Sequence, residues 1–360
     1  MKILRPISIL AISLVLASRA AAQLSLTPPA LQAPATKPAA KPEVKPQVKP
    51  EVKPHTIAKK PAAPATEAKP PTATVMPTPA PGDPNVDLVY GAYQRGQYKT
   101  AFDLATARAQ AGDVKAMTML GELYANAQGV KGDDAKADDW YKRAADGGDR
   151  EAMFELAMMR IAGRGAPVDK QEAVKLFASA AKLGEPKAAY NLALLYLDGQ
   201  TLPQDVNRSA ELLRMAADAG NPDAQYALAN FYKEGTGVPK DIEASVRLLQ
   251  AAANADNTDA EVEYAIALYN GTGTPKDQAA AVALLRRAAQ QNSPIAQNRL
   301  AHVLVTGQGA PMDQIEGLKW HLIAKTAGKG DLFLDEALAQ LSPQDRAKVE
   351  AAARHWLRVQ

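Results

Sequence analysis

The 360-residue sequence contains no cysteine. That excludes disulfides, thiolate metal sites, a cysteine nucleophile and a lipidated N-terminal cysteine. Histidine is scarce: His55, His302, His321 and His355 are the whole supply. Little imidazole is therefore on hand for metal binding or acid–base work. Aromatic residues make up 5% of the chain and the formal charge is only +3. Both argue against a broad nucleic-acid surface. No apolar run approaches the ~20 residues that a membrane-spanning helix needs.

The small net charge hides an uneven distribution. Residues 1–22 carry three cations and no acid, and residues 23–85 carry eight lysines against four acids. The remaining residues, 86–360, hold 31 basic and 35 acidic side chains, a balance of −4. The basic character belongs to the N-terminal segments, and a mildly acidic body makes DNA or RNA an unsuitable partner.

Each N-terminal segment has its own signature. Lys2 and Arg5 precede an apolar stretch from Ile7 to Ala17, and Ala20-Ala21-Ala22 supplies small residues before Gln23. This is the layout of a cleavable signal peptide over residues 1–22, cut after Ala22. Export to the periplasm, or secretion, is the expectation, and an uncleaved inner-membrane anchor is the alternative. Residues 23–85 hold 16 of the 26 prolines, and Lys-Pro recurs every four residues from Lys37-Pro38 to Lys53-Pro54. Proline fixes φ and removes a donor, so neither helix nor sheet can run here. A disordered, extended Pro/Lys-rich linker is expected. It can serve as a plain tether or hold an acidic polymer such as peptidoglycan.

Beyond the linker the sequence repeats itself. With Ala116 as column 1 and a step of 36, the next starts are Ala152, Ala188, Ala224, Ala260 and Ala296. Six repeats cover residues 116–331 without insertion or deletion. Column 5 is Leu120, Leu156, Leu192, Leu228, Tyr264 and Leu300, and column 6 is small throughout. Column 9 is Tyr124, Tyr196, Tyr232, Leu268 and Leu304, with Arg160 the exception. Columns 1, 5 and 9 predict one apolar stripe on a first helix, A. Glycines in columns 12 and 14 and proline in column 16 predict a fixed turn. Column 18 is Asp133, Asp169, Asp205, Asp241, Asp277 and Asp313, a run of N-caps for a second helix, B. Helix B is expected to turn columns 25 and 29 inward and to end at the Gly, Asp or Asn of column 33.

These residues resemble the Sel1-like repeat, a relative of the tetratricopeptide repeat. The pattern A-x-x-x-L-G-x-x-Y-x-x-G-x-G-V-x-x-D…A-x-x-W-Y-x-x-A-A-x-x-G is matched by Ala116, Leu120-Gly121, Tyr124, Gly129-Val130, Asp133, Trp140-Tyr141, Ala144-Ala145 and Gly148. The resemblance implies an all-α fold, a right-handed α/α superhelical solenoid of helix-turn-helix repeats. Residues 86–115 then read as a degenerate N-terminal repeat or cap, and residues 332–360 as C-terminal capping helices. Such ends cover the open faces of a solenoid.

By the same resemblance a concave groove lined by A helices binds proteins or peptide segments. Its columns 3, 7 and 10 place Phe154, Met158, Ile161, Tyr190, Leu194, Leu197 and Tyr226 in one apolar-aromatic strip. That strip either packs between repeats or forms an exposed binding surface. Elsewhere chemistry is thin. The Gly-Thr-Gly turns at 235 and 271 lack the strand and the Gly-Lys-Ser/Thr ending of a phosphate loop. Asp133, Asp134, Asp138 and Asp139 read as a cap plus a solvated acidic face. His302 and His321 lack metal-ligand spacing. No cofactor, metal or catalytic site is expected. The leading reading is an exported interaction scaffold or regulatory adaptor for an envelope protein, with no membrane span after signal cleavage. A peptidoglycan-associated linker using the basic tail is the alternative. A cell-wall or β-lactam-directed hydrolase is a third, without a catalytic constellation behind it.

Overall fold

A computed structural model describes residues 87–359. The expected signal peptide and linker lie outside the described residues. Those residues form sixteen helices and no strand. A first pair, α1 (Leu88–Gln94) and α2 (Tyr98–Gln110), precedes the regular repeats. The six A helices are α3 (Val114–Ala125), α5 (Arg150–Ala162), α7 (Pro186–Asp198), α9 (Pro222–Glu234), α11 (Thr258–Asn270) and α13 (Pro294–Thr306). The six B helices are α4 (Asp134–Asp146), α6 (Lys170–Lys182), α8 (Val206–Asp218), α10 (Ile242–Asn254), α12 (Gln278–Gln290) and α14 (Gln314–Thr326). Two further helices, α15 (Leu332–Ala339) and α16 (Pro343–Val359), close the array. Successive helices pack on one another as far as α15, and α16 packs back on α14, which makes an all-α solenoid.

The turns follow from a few residue types. All six column-18 aspartates cap their B helix, with Oδ1 accepting the backbone N–H three residues on at 2.8–3.1 Å. Their own N–H groups donate back to the column-9 carbonyl, as from Asp241 to Tyr232 at 2.9 Å. The A-to-B turn is thereby closed at both of its polar ends. Column 12 is left-handed in every repeat; glycine supplies that conformation five times, and Ala127 adopts it at φ 53° in the first repeat. Asp256 and Asn292 do the same past α10 and α12.

Packing shifts the expected stripes by one position. The inward face of helix A runs through columns 1, 5 and 8 with the small column 6 beside them, because alternating steps of four and three follow the 3.6-residue period. Column 8 is Leu123, Met159, Leu195, Phe231, Ala267 and Val303, buried without exception. On helix B the fully inward column is 26, not 25: Tyr141, Phe177, Leu213, Leu249, Leu285 and His321 are all buried. Trp140, Leu176, Leu248 and Leu284 of column 25 stay half-buried. The column-29 alanines have no exposed surface, which lets A and B helices approach closely. Gly121 marks the tightest approach, since a Cβ there would stand 2.6 Å from the Tyr141 ring. Among the described residues no helix is long and apolar enough to cross a membrane.

Candidate functional site

The seven strip residues sit on three successive A helices, α5, α7 and α9. Phe154 is only 8% exposed. Its ring lies 5.9 Å from that of Phe177, and Lys187 Nζ stands 5.7 Å over it. Met158, Ile161, Tyr190 and Leu197 are half-buried against the apolar cluster that joins repeats two to four. Tyr226 is half-buried against the next cluster, beside Ala229 and Leu249, and its hydroxyl donates to Glu263 Oε1 at 3.1 Å. Leu194 is half-buried without belonging to either cluster. The strip is thus a wall shared by the core and the outer face: Phe154 faces inward, and the other six keep part of their surface.

Carboxylates flank this strip. Columns 0 and 4 of the A helices, one turn apart, carry Glu151, Glu155, Asp223, Asp259 and Glu263. Burial pushes the Glu155 carboxyl above its ordinary range, against the pull of Lys187, and Glu122, Glu151 and Glu185 reinforce it. Burial likewise raises Asp259, with Glu263 and Asp223 adding like charge. Glu263 is the well-partnered member, accepting from Tyr226 and pairing with Lys233 Nζ at 3.0 Å. Tyr190 and Tyr226 are held neutral by burial and by these acids.

Sequence reasoning missed a buried ion-pair layer. Arg160, the column-9 exception, has a side chain only 7% exposed. It pairs with Asp138 on α4 and with Glu172 on α6, the latter at 2.6 Å. Arg164 pairs with Asp134 at 2.5 Å and donates to the Ala125 carbonyl at 3.0 Å. Asp138 is therefore an enclosed inter-repeat partner, Asp134 bridges the same repeats at the surface, and Asp139 stays solvated. The signal was present in the columns. Asp138 occupies column 23, where the other repeats have Val174, Ala210, Val246, Val282 and Leu318. An acid in an apolar column and an arginine in an aromatic one are two halves of one substitution.

A second exchange follows the same logic. Gln225 and Gln297 in column 2 donate to the carbonyls of Ala217 and Ala289, each at 3.2 Å. Glu261 replaces them in the fifth repeat and cannot donate. Arg287 pairs with the fully buried Glu261 and itself donates to the Ala253 carbonyl at 2.9 Å. The two histidines separate as well. His302 stacks on Phe333 and meets Asp331 at 3.1 Å, and buried His321 meets Asp335 at 2.8 Å. Among the described residues no group of His, Asp or Glu is arranged to hold a metal.

Comparison with known proteins bears on the fold directly. A model of the Sel1 repeat matches residues 114–149, 150–185, 186–221, 222–257, 258–293 and 294–329. These segments keep the 36-residue step and begin two residues before each column-1 alanine. Among solved structures, a Sel1 repeat protein from Oxalobacter formigenes is 28% identical with a TM-score of 0.60, over 66% of this chain and 98% of that one. The protective antigen c5321, present in uropathogenic Escherichia coli strains and displaying an SLR fold, is 25% identical with a TM-score of 0.52, over 74% of this chain and 67% of that one. No curated protein matches the chain.

Proposed function

The chain belongs to the Sel1-repeat family, and from that premise we propose an exported scaffold or regulatory adaptor that holds a cell-envelope protein on its A helices. One observation carries the reading: a half-buried apolar strip over α5, α7 and α9, flanked by carboxylates that have few partners. Preformed helices would present the strip, and a polypeptide segment would bury its own apolar side chains there. The binding residues are Met158, Ile161, Tyr190, Leu194, Leu197 and Tyr226, with Phe154 supporting them from beneath. The role is binding, not catalysis. Export rests on the charged, apolar and small-residue sequence of residues 1–22. N-terminal sequencing of protein from the envelope fraction tests it. A mature chain starting at Gln23 is expected, and an intact Met1 in the membrane would replace export by anchoring.

The face itself is tested by Tyr190→Asp and Tyr226→Asp, compared with wild type in a crosslinked pull-down from cells. Because both tyrosines touch core residues, Leu194→Asp is the gentler companion. One envelope protein enriched with wild type and lost with Leu194→Asp, at unchanged helical circular dichroism, is expected. An unchanged set of crosslinked proteins for all three variants would sink the assignment.

A further inference from the structure

We infer that the polypeptide segment held on this face is cationic at both ends and apolar between them. The inference rests on the proposed binding face and specifies its occupant. Most acids elsewhere on the described chain are engaged. The column-18 aspartates cap helices, Glu211 pairs with Arg208 at 2.9 Å, and Glu316 pairs with Lys319 at 2.5 Å. On the outer columns of the A helices acids gather beside the apolar strip, some partnered and some not. Glu151, Glu155 and Asp259 make no hydrogen bond or ion pair with other described residues. Glu155 is half-buried among Glu122, Glu151 and Glu185, and Asp259 stands exposed with Glu263 and Asp223 as like-charged neighbours. Carboxylates crowded together cost stability, and a partner's lysine or arginine would offset that repulsion.

The acids are also placed in order. One group, around Glu155, belongs to α3 and α5, and the other, around Asp259, belongs to α9 and α11. Between them α7 offers Lys187, Asn191 and Leu194 at the equivalent columns, so these positions of the middle helix carry no acid, and Tyr190, Leu194 and Leu197 supply its apolar surface. Beyond α11 the pattern ends, with Arg299 and His302 at columns 4 and 7 of α13. A segment with basic residues on either side of an apolar stretch matches this sequence of charges. Complementary charge of this kind sets partner choice and register.

The test uses three fluorescent synthetic peptides and the full chain. One has a leucine-rich centre flanked by lysines, the second has the same centre flanked by glutamates, and the third has lysines alone. The lysine-flanked peptide should bind at least about tenfold more tightly than either of the others at low salt. Its advantage over the glutamate-flanked peptide should shrink as salt rises from about 0.05 M to 0.5 M. The double variant Glu155→Gln/Asp259→Asn should weaken it several-fold. A control, Asp139→Asn/Asp218→Asn on the B helices, should leave it unchanged. Equal weakening by the control would overturn the inference, as would failure of all three peptides to bind. If the lysine- and glutamate-flanked peptides bind equally well and both are lost with Leu194→Asp, the binding face stands and its preference for a cation does not.

Discussion

Two junctions of the solenoid solve one packing problem with different chemistry. Between the first and second repeats Arg160 lies buried against Asp138 and Glu172. Between the third and fourth, Tyr232 and Ala210 hold the corresponding columns within one apolar cluster. Backbone geometry is shared: the carbonyls of Arg160 and Tyr232 accept the N–H groups of Asp169 and Asp241 at 3.0 and 2.9 Å. The repeat therefore fixes positions and leaves their chemistry open, provided that facing columns change together. A charged junction is tolerant only as a pair, because either member alone becomes an uncompensated buried charge.

The largest expected effect breaks that pair. Arg160→Ala should destabilise the chain by about 3 kcal/mol, because Asp138 loses its counter-charge in a largely enclosed site, while water screens the more exposed Glu172. Arg160→Tyr combined with Asp138→Ala makes the first junction like the later one. It should recover most of the loss or exceed wild type, since apolar replacement of a buried pair is often neutral or stabilising. Thermal unfolding of the single and double variants gives the coupling. Additive losses would show that the two positions do not form one unit.

A smaller effect comes from the first turn. Ala127 holds the left-handed conformation that glycine holds in the other five repeats. Ala127→Gly should stabilise by roughly 0.5–1 kcal/mol, the left-handed strain of alanine less the extra freedom of glycine in the unfolded chain. No gain in chemical denaturation would mean that neighbouring contacts already offset the strain.

The smallest effect sharpens the contrast between paired and unpaired acids. Glu155 has its carboxyl raised above the ordinary 4.5 by burial and by neighbouring acids. Its protonated form is favoured in the fold, so its contribution is fully present below pH 4.5 and is lost as pH rises through the folded value. Glu155→Gln should therefore raise the melting temperature at pH 7, and the gain should vanish in acid. A variant that melts lower at pH 7 would mean that Glu155 has a stabilising partner in the free chain.

Much of this architecture is legible in the columns. Column-18 aspartate and the residues of columns 12, 14 and 33, glycine in most repeats, locate the turns, because capping and left-handed conformations admit few residue types. The inward stripes are misplaced by one position, at column 8 in place of 9 and column 26 in place of 25. Apolar residues occupy both neighbours, and only packing decides which of the two is enclosed. The ion-pair layer is visible as the paired anomalies Arg160 and Asp138, but recognising it requires knowing that column 9 of one repeat meets column 23 of the one before. The strip is harder still. Tyr190 and Tyr226 serve inter-repeat packing and the outer face together, and residue type does not separate those roles.

The most direct test of the central claim is site-resolved crosslinking. A photoreactive residue replaces Leu194 on the A-helix face, or Lys175 on the exposed side of α6, in otherwise unchanged full-length protein in its native cells. The account predicts a discrete polypeptide adduct from position 194, none from position 175, and a several-fold weaker adduct when Glu155→Gln/Asp259→Asn is added. An adduct from position 175 alone, or equal adducts from both, would contradict it.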